Sequence, residues 1–525
     1  MVDAAGVAVV CRMKVLVTGG TGVVGAAAVP ALLRAGHTVR LLSRHADRDV
    51  AELPEGVEAF VADLADPRPL QEAVAGCDAV VHIAGIVEEA PPAVTFEAIN
   101  VEGTRALCAA AEVMGMPRFV YVSSLGADRG ESDYHKSKLA AEEHVRRYRG
   151  PWVVLRPGAV YGPGDETVSM LLKMTRTLPA VPVVGDGEQP FQPIWYADFG
   201  EAIARTIDRP ELAGRTLEVA GPDVTTTGEV LERLSAITGR KPGRISVPAW
   251  VARFGAQALE SFGGLGRKLM TRATMAPPIN DAKLKMLLEG NVIAEPKDNA
   301  LTSVFGVHPT RLEDGLKLLA DLLPEQAPGD GVGAVRRTTY TAEIRGSRVD
   351  AAGLVDLVCS RLAEIMPIEF KAEPGVPDGA RRTGETLTGA LPARGNIQVR
   401  LEERTERRAS FVTIEGHPLA GLLMFTADEV PGGVRFSIEV AAQAANFADW
   451  IAMRTVGGFM QARNWREVVQ RVVDASGGEA PAGVQRQSEY LDDEQVAQLH
   501  ERVRATVARR KRDEAAAMAV AAAGR

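Results

Sequence analysis

The sequence predicts a doubly wound α/β fold, a parallel sheet with helices on both faces, followed by a second domain of α+β type. Three observations predict it. Lys14–Gly25, KVLVTGGTGVVG, passes from an apolar strand through a glycine turn into a helix start. Strand and helix patterns then alternate to Ala220, which specifies parallel strands joined by right-handed crossovers. After Pro324–Gly333, PEQAPGDGVG, the order becomes strand, helix, a series of short strands and a long helix.

Composition bounds the rest. A chain of 525 residues implies two or three domains. A net charge of −8, with no basic domain, argues against nucleic acid as a partner. Cys11, Cys77, Cys108 and Cys359 show no metal-ligand spacing, so neither a metal site nor a disulfide framework is expected, and a reducing cytoplasm suits them. No apolar run approaches the roughly 18 residues of a membrane span. Residues 1–12 read as an N-terminal extension, too short and too poor in early positive charge for a secretory signal. The sequence carries no signal for oligomeric state.

In the opening stretch, Gly19 permits the turn, Gly22 lets backbone approach a pyrophosphate, and Gly25 lets helix and strand pack closely. Thr21, Val23 and Val24 complete the phosphate-facing turn, and the N–H groups of the Val23–Arg34 helix favour an anion. Thr38–Leu42 is the second strand. It ends in Ser43-Arg44, where an NAD enzyme usually places a carboxylate for the ribose. A hydroxyl and a bidentate guanidinium suit a 2′-phosphate, so NADP(H) is favoured over NAD(H).

Val57–Ala62 is the third strand, ending in Asp63-Leu64, and Pro69–Ala75 is helical. Asp78–Gly85 is a fourth strand that runs into the small turn Ala84-Gly85, where backbone can lie against a cofactor. His82, inside that apolar strand, reads as a packed histidine rather than a proton carrier. Pro92–Met114 reads as one long helix containing Asn100, and Arg118–Ser123 as the fifth strand. Ser123-Ser124 ends that strand, and Tyr134 and Lys138 share one face of the next helix. A lysine ammonium beside a phenol favours phenolate, and a nearby serine hydroxyl can bond a substrate oxygen. Trp152–Leu155 is the sixth strand, and Glu166–Leu178, Ala197–Asp208, Thr226–Thr238 and Thr310–Leu323 read as helices. Val247–Phe262, with Trp250 and Phe254, admits two readings. One is a lobe helix packed on Leu269–Met275, and the other is a face for a membrane surface or an apolar substrate.

These residues carry a resemblance. Residues 12 to about 325 resemble an extended or atypical short-chain dehydrogenase/reductase, through Thr18–Gly25, Asp63-Leu64, Asn100–Thr104, Ser123-Ser124, Tyr134 with Lys138, Leu155–Asp165 and Gln192–Asp198. The nearest flavour is the branch of the NAD(P)H-binding accessory subunit of respiratory complex I. The resemblance implies a Rossmann sheet with a small substrate lobe over 13–325. Gly19, Gly22 and Gly25 would cradle the pyrophosphate, and Asp63 and Leu64 would border the adenine. Asn100 would lie toward the nicotinamide ribose, with Pro157 and Gly158 lining the nicotinamide pocket. Ser124, rather than Ser123, would polarise the substrate oxygen. Tyr134 would be the acid/base, and Lys138 would hold the ribose and tune it. One departure stands out: only nine residues separate Ser124 from Tyr134, so the substrate wall is expected to be open or the activity vestigial.

Residues 326–337 read as a linker. Over 338–477 the order is Thr338–Ile344 strand, Asp350–Ile365 helix, five strand candidates between Thr386 and Val440, and a Phe447–Val473 helix. It resembles the helix-grip fold of START-like or SRPBCC proteins, which implies an apolar ligand, lipid or quinone-like. His417 and Asn446 have no partner that the sequence names. Residues 478–525 read as a polar, partly helical tail that stays in solvent. Two functions compete: an NADP(H)-dependent oxidoreductase acting on a small molecule, with a nucleotide-sugar epimerase or dehydratase as its enzymatic variant, and a non-catalytic dinucleotide-binding protein.

Overall fold

The computed structural model describes residues 12–523, apart from 51–52, 93, 166, 179, 240, 248–288, 290, 322–323, 367–369, 372–381, 392–394 and 446–457. Its first sheet has seven strands: β1 (Lys14–Thr18), β2 (Thr38–Ser43), β3 (Val57–Val61), β4 (Ala79–His82), β5 (Arg118–Val122), β6 (Trp152–Pro157) and β7 (Arg215–Val219). They lie in the order β7-β6-β5-β4-β1-β2-β3, and every neighbouring pair is parallel. The order reverses between β1 and β4, so a crevice opens at their carboxyl ends.

Alternation explains why the sheet is covered on both faces. Val15 and Val17 pack with Ala28, Leu32, Phe199 and Ile203 on one side. Leu16, between them, packs with Leu70, Leu107, Phe119 and Tyr121 on the other. The helix Tyr196–Ile207 crosses Val23–Arg34 so closely that a Cβ on Gly200 would lie 2.7 Å from that of Ala27. The predicted Pro92–Met114 helix divides: a π-helical turn, Glu97–Glu102, runs into Gly103–Val113. Asn100 sits in that wide turn, held there by side-chain bonds to both backbone groups of Ile86.

A lobe forms beside the sheet from Val168–Thr177, Ala180–Val184, Thr227–Thr238, Gly243–Val247 and Leu312–Asp321. Leu172, Leu234 and Leu316 share its core with Tyr161 and Trp195. From residue 248 onward the Val247–Phe262 stretch, Trp250 and Phe254 included, lies outside the described residues, as does Leu269–Met275.

The second unit is an antiparallel sheet. Its strands run Phe370–Lys371, Thr386–Leu391, Gly395–Arg404, Arg408–Ile414, Leu419–Val430, Gly433–Ala444, Val332–Ile344 and Gln485–Tyr490. The helices Ala351–Ser360 and Gly458–Ser476 cover one face over Phe411, Phe425 and Phe436. Asp350 caps the first, accepting from the Gly353 N–H at 2.8 Å. The predicted Asp350–Ile365 helix breaks at Arg361 and resumes at Leu362–Ile365. His417 finds its partner locally, at the Leu419 N–H, and Asn446 lies outside the described residues.

Two expectations are corrected. The stretch read as a linker, 326–337, is part of the sheet: Gln326 belongs to Glu325–Gln326, which pairs with Thr413 and Ile414, and residues from Val332 onward open the strand Val332–Ile344. The stretch read as a polar, partly helical tail in solvent does hold a helix, but that helix packs on the sheet. Gln485–Tyr490 is an edge strand on Val332–Ile344, and Asp493–Ala523 is a helix across the outer face of the sheet. Leu499, Val503 and Val507 recur every three or four residues and bury against Val412, Leu422 and Ala441, a stripe masked in sequence by mixed charge. Arg510, inside the RRKRDE run, is buried, bonding Glu402 at 2.7 Å and Glu325 at 2.7 Å. The two units meet where Ile414 joins the lobe core and Glu415 pairs with Lys173.

Candidate active site

The glycine turn follows β1 at the crevice. Gly19 has φ +72°, and a Cβ there would meet the Ala84 nitrogen at 2.6 Å. A Cβ on Gly25 would lie 2.3 Å from both the Gly19 oxygen and the Gly20 Cα. Gly22 differs, because its nearest neighbour would be the Gly19 oxygen at an ordinary 3.7 Å. Packing therefore forbids a side chain at Gly19 and Gly25 but not at Gly22, which faces open space beside Thr21. Gly22 is the N-cap of Val23–Arg34, and no side chain caps that helix. Its first N–H groups, from Val23, Val24 and Gly25, are thus presented to an anion, so the residues present fit a dinucleotide's pyrophosphate.

A buried hydrogen-bond chain sets the opposite wall. The Ala84 N–H donates to Thr18 Oγ1 at 3.2 Å, and Thr18 Oγ1 lies 2.7 Å from His82 Nδ1. His82 Nε2 lies 2.9 Å from Thr104 Oγ1, which donates to the Asn100 carbonyl at 2.6 Å. Because Thr104 spends its proton on Asn100, His82 donates from Nε2 and accepts at Nδ1. Burial, reinforced by the Lys138 charge, brings His82 down to about 3, so it is neutral and structural. Asn100 also donates to Ser137 Oγ at 3.0 Å. The bare Gly85 faces it: a Cβ there would lie 3.2 Å from Asn100 Oδ1 and 3.5 Å from Lys138 Nζ.

Ser124 follows β5, and Tyr134 and Lys138 lie on the helix Asp133–Arg147, which Ser132 caps. Burial raises the Tyr134 phenol, against a hydrogen bond from Ser124 that favours phenolate. Burial also lowers Lys138 to about 7, opposed by the Glu142 carboxylate. Lys138 Nζ donates to the Val122 carbonyl at 2.8 Å and lies 4.5 Å above the Tyr121 ring. The lowering of Tyr134 by Lys138 expected from sequence is not what the polypeptide produces, because desolvation acts on both groups. Ser123, the neighbour of Ser124, is spent elsewhere. It bonds the buried Glu142 at 2.6 Å, which also takes Arg156 through two contacts of 2.8 Å.

The other expected residues lie at the carboxyl ends of β2, β3 and β6. Ser43 donates to Asp49 at 2.5 Å, and Arg44 is exposed. Asp63 is an exposed turn former, accepting from the Ala65 N–H at 3.0 Å, while Leu64 is buried against Gly103. Pro157 accepts from the Leu125 N–H at 2.8 Å, and a Cβ on Gly158 would strike the Gln192 oxygen. Sequence reasoning gave no role to Thr18, Thr104 and Arg156, although the stretches that carry the resemblance contain them, and it missed Glu142. Among the described residues, no group of three His, Cys, Asp or Glu could hold a metal ion, and no helix is long and apolar enough to cross a membrane.

Residues 15–220 match the NAD dependent epimerase/dehydratase family. The chain is 31% identical over 238 residues to the ceramide reductase of Caulobacter vibrioides, covering 45% of this chain and 74% of that protein. The chain belongs to the NAD-dependent epimerase/dehydratase family. Every residue expected at the site of this epimerase/dehydratase-family chain lies within the matched span. It is also 33% identical over 185 residues to the 3-beta-hydroxysteroid dehydrogenase of Mycolicibacterium neoaurum, covering 30% of this chain and 50% of that protein. It is 30% identical over 141 residues to the mitochondrial NADH dehydrogenase (ubiquinone) 1 alpha subcomplex subunit 9 of Arabidopsis thaliana, covering 26% of this chain and 35% of that protein. The chain thus spans half or less of the length of those two relatives.

Proposed function

We propose that the chain is an NADP(H)-dependent oxidoreductase acting on a carbonyl or alcohol of an apolar small molecule. The observations that carry it are the Ser124 hydroxyl against the Tyr134 phenol, with Lys138 Nζ 3.5 Å from where a Cβ on Gly85 would lie, and the bare turn of Gly19–Gly25. When bound, the reduced nicotinamide supplies a hydride to the carbonyl carbon. Tyr134 gives its proton to the carbonyl oxygen as that oxygen gains charge, and Ser124 donates a hydrogen bond to the same atom. A phenol raised by burial keeps its proton at neutral pH, which suits an acid in the reductive direction. Lys138 stabilises the phenolate left behind. Backbone N–H groups from Thr21 to Gly25 hold the pyrophosphate. By the resemblance, Asp63 and Leu64 would border the adenine, while Ala84, Gly85, Asn100, Pro157 and Gly158 would lie at the nicotinamide end.

Arg44 supports NADP(H), as an exposed guanidinium at the end of β2, although Asp49 beside Ser43 opposes it with a negative charge. Two proteins this chain is similar to, a ceramide reductase and a steroid dehydrogenase, support an apolar substrate. The strand, helix, meander and long-helix order of the second unit supports a START-like ligand domain.

A second reading, non-catalytic nucleotide binding, is favoured by one observation: Lys138 turns to the Val122 carbonyl and leaves the Tyr134 phenol raised. One experiment separates the two. The purified full chain is titrated with NADPH by nicotinamide fluorescence, then offered long-chain ketones, 3-ketosteroids and quinones. Oxidation of NADPH, reduced about 10³-fold by Tyr134→Phe, supports the reductase. Arg44→Ala weakens NADPH about tenfold and leaves NADH unchanged. Tight binding without oxidation supports the second reading, and no binding refutes both.

A further inference from the structure

The nine residues between Ser124 and Tyr134 are tied down by chain that returns from far along the sequence, at Glu289 and residues 291–293. Glu289 Oε1 accepts from the N–H groups of Glu131, at 2.8 Å, and Ser132, at 2.5 Å. Its Oε2 accepts from the Ser132 hydroxyl at 3.0 Å and meets His135 Nδ1 at 2.5 Å. Arg129 donates to the Val292 carbonyl at 3.0 Å and pairs with Glu218 at 3.2 Å. Leu125 buries against Ala220 and Ile293 beneath the same connection.

His135 is fully buried, and its ring lies against Gly130, where a Cβ would meet Nδ1 at 2.4 Å. Its Nδ1 lies between a hydroxyl and a carboxylate, so that nitrogen carries the proton and donates to Glu289. Ser132 then gives its own proton to Glu289 and accepts from the His135 N–H at 3.3 Å, which caps the helix. Tyr134 occupies that first turn, with its ring centroid 5.3 Å from that of His135. Ser124 begins the connection and Tyr134 ends it, so whatever fixes the connection fixes the distance between the two hydroxyls. Glu289 lies beyond the residues that match the family.

We propose that Glu289 and His135 are positioning residues: a carboxylate–imidazole latch from a distant segment that closes the Ser124–Tyr134 connection and holds the Tyr134 phenol against Ser124. The proposal deepens the oxidoreductase reading and rests on it for its purpose, but the latch can be measured without a substrate.

The test compares the full-length wild type with Glu289→Ala and Glu289→Gln by hydrogen–deuterium exchange of the 125–133 peptide. A second readout is the ultraviolet difference titration of the Tyr134 phenolate, isolated by subtracting Tyr134→Phe. In Glu289→Ala, exchange across 125–133 quickens about tenfold or more. The Tyr134 step moves down toward the ordinary phenol value near ~10, as the phenol gains water. Glu289→Gln keeps an acceptor for the two N–H groups but none for His135 Nδ1–H. It therefore retains most of the exchange protection, gives a partial shift of the phenol step, and serves where the alanine variant does not fold. Slow exchange and an unmoved phenol step in a folded variant would overturn the latch. Failure of the wild type to bind NADPH, with the latch signals present, would instead remove the oxidoreductase reading alone.

Discussion

Two glycines three residues apart should fail in opposite ways when each is changed to alanine. At Gly25 the new methyl would lie 2.3 Å from the Gly19 oxygen and the Gly20 Cα. Both are backbone atoms, so no rotamer relieves the contact, and helix and turn must separate by about 1 Å. Overpacking of that kind costs about 1–3 kcal/mol, which lowers the melting temperature by roughly 2–4 °C per kcal/mol for a unit of this size. At Gly22 the nearest atom is 3.7 Å away, and its backbone, φ −79° and ψ 174°, is one alanine adopts freely. The expected loss of stability is below about 1 kcal/mol, since only a weak N-cap preference changes. The methyl does, however, stand where phosphate oxygens must approach the helix N–H groups. Losing that approach removes about 2 kcal/mol or more of binding, a weakening of about thirtyfold. Thermal unfolding without nucleotide, paired with NADPH fluorescence titration, reads both quantities. If Gly22→Ala binds NADPH as the wild type does, the turn is not the pyrophosphate site. If Gly25→Ala melts with the wild type, the steric argument is wrong.

Two further outcomes follow from buried charge. Lys138 has a folded pKa of about 7 against its ordinary 10.5, so the unfolded chain binds more protons between those values and stability rises with pH across that window. Lys138→Met should therefore be more stable than the wild type near pH ~6, by on the order of 2–4 kcal/mol, with the gain closing near pH ~10 while turnover is lost. Urea unfolding at the two pH values checks it, and a pH-independent difference would refute it. Glu325 is held near 2 although burial would raise it, because Lys511 and Arg400 outweigh the burial. Its contribution is present above its ordinary 4.5 and lost as pH falls toward 2. Glu325→Ala leaves Arg400 and Arg510 short of their shared carboxylate and should cost about 3–5 kcal/mol. Trypsin should then cut beside Arg510 and Lys511 sooner than in the wild type, and unchanged cleavage would show that the cluster does not hold the helix.

The first half of the chain was legible wherever structure is local. The KVLVTGGTGVVG stretch encodes strand, turn and helix in adjacent residues, and the alternation of Val15, Leu16 and Val17 already assigns them to opposite faces. Ser124 was preferred to Ser123 through a resemblance, and the bond between the Ser123 hydroxyl and Glu142 depends on a contact 19 residues along the chain. The Pro92–Met114 pattern could not reveal its π turn, since Asn100 is held by Ile86, in a different turn of chain. The closing helix was expected, but its burial was not, because its stripe of Leu499, Val503 and Val507 is narrow and its flanks are charged.

By itself the sequence determined the parallel sheet, the bare turn and the tyrosine–lysine spacing, because each depends on residues that are neighbours along the chain or one helical turn apart. Only the tertiary structure decided the crevice between β1 and β4, the raised phenol, the Glu289–His135 contact and the burial of Glu325 among Arg400, Arg510 and Lys511. Glu289 and His135 are 154 positions apart, and Glu325 and Arg510 are 185 apart. Contacts at such separations come from how packed elements bring distant segments together, and so does the loss of water that sets each group's charge.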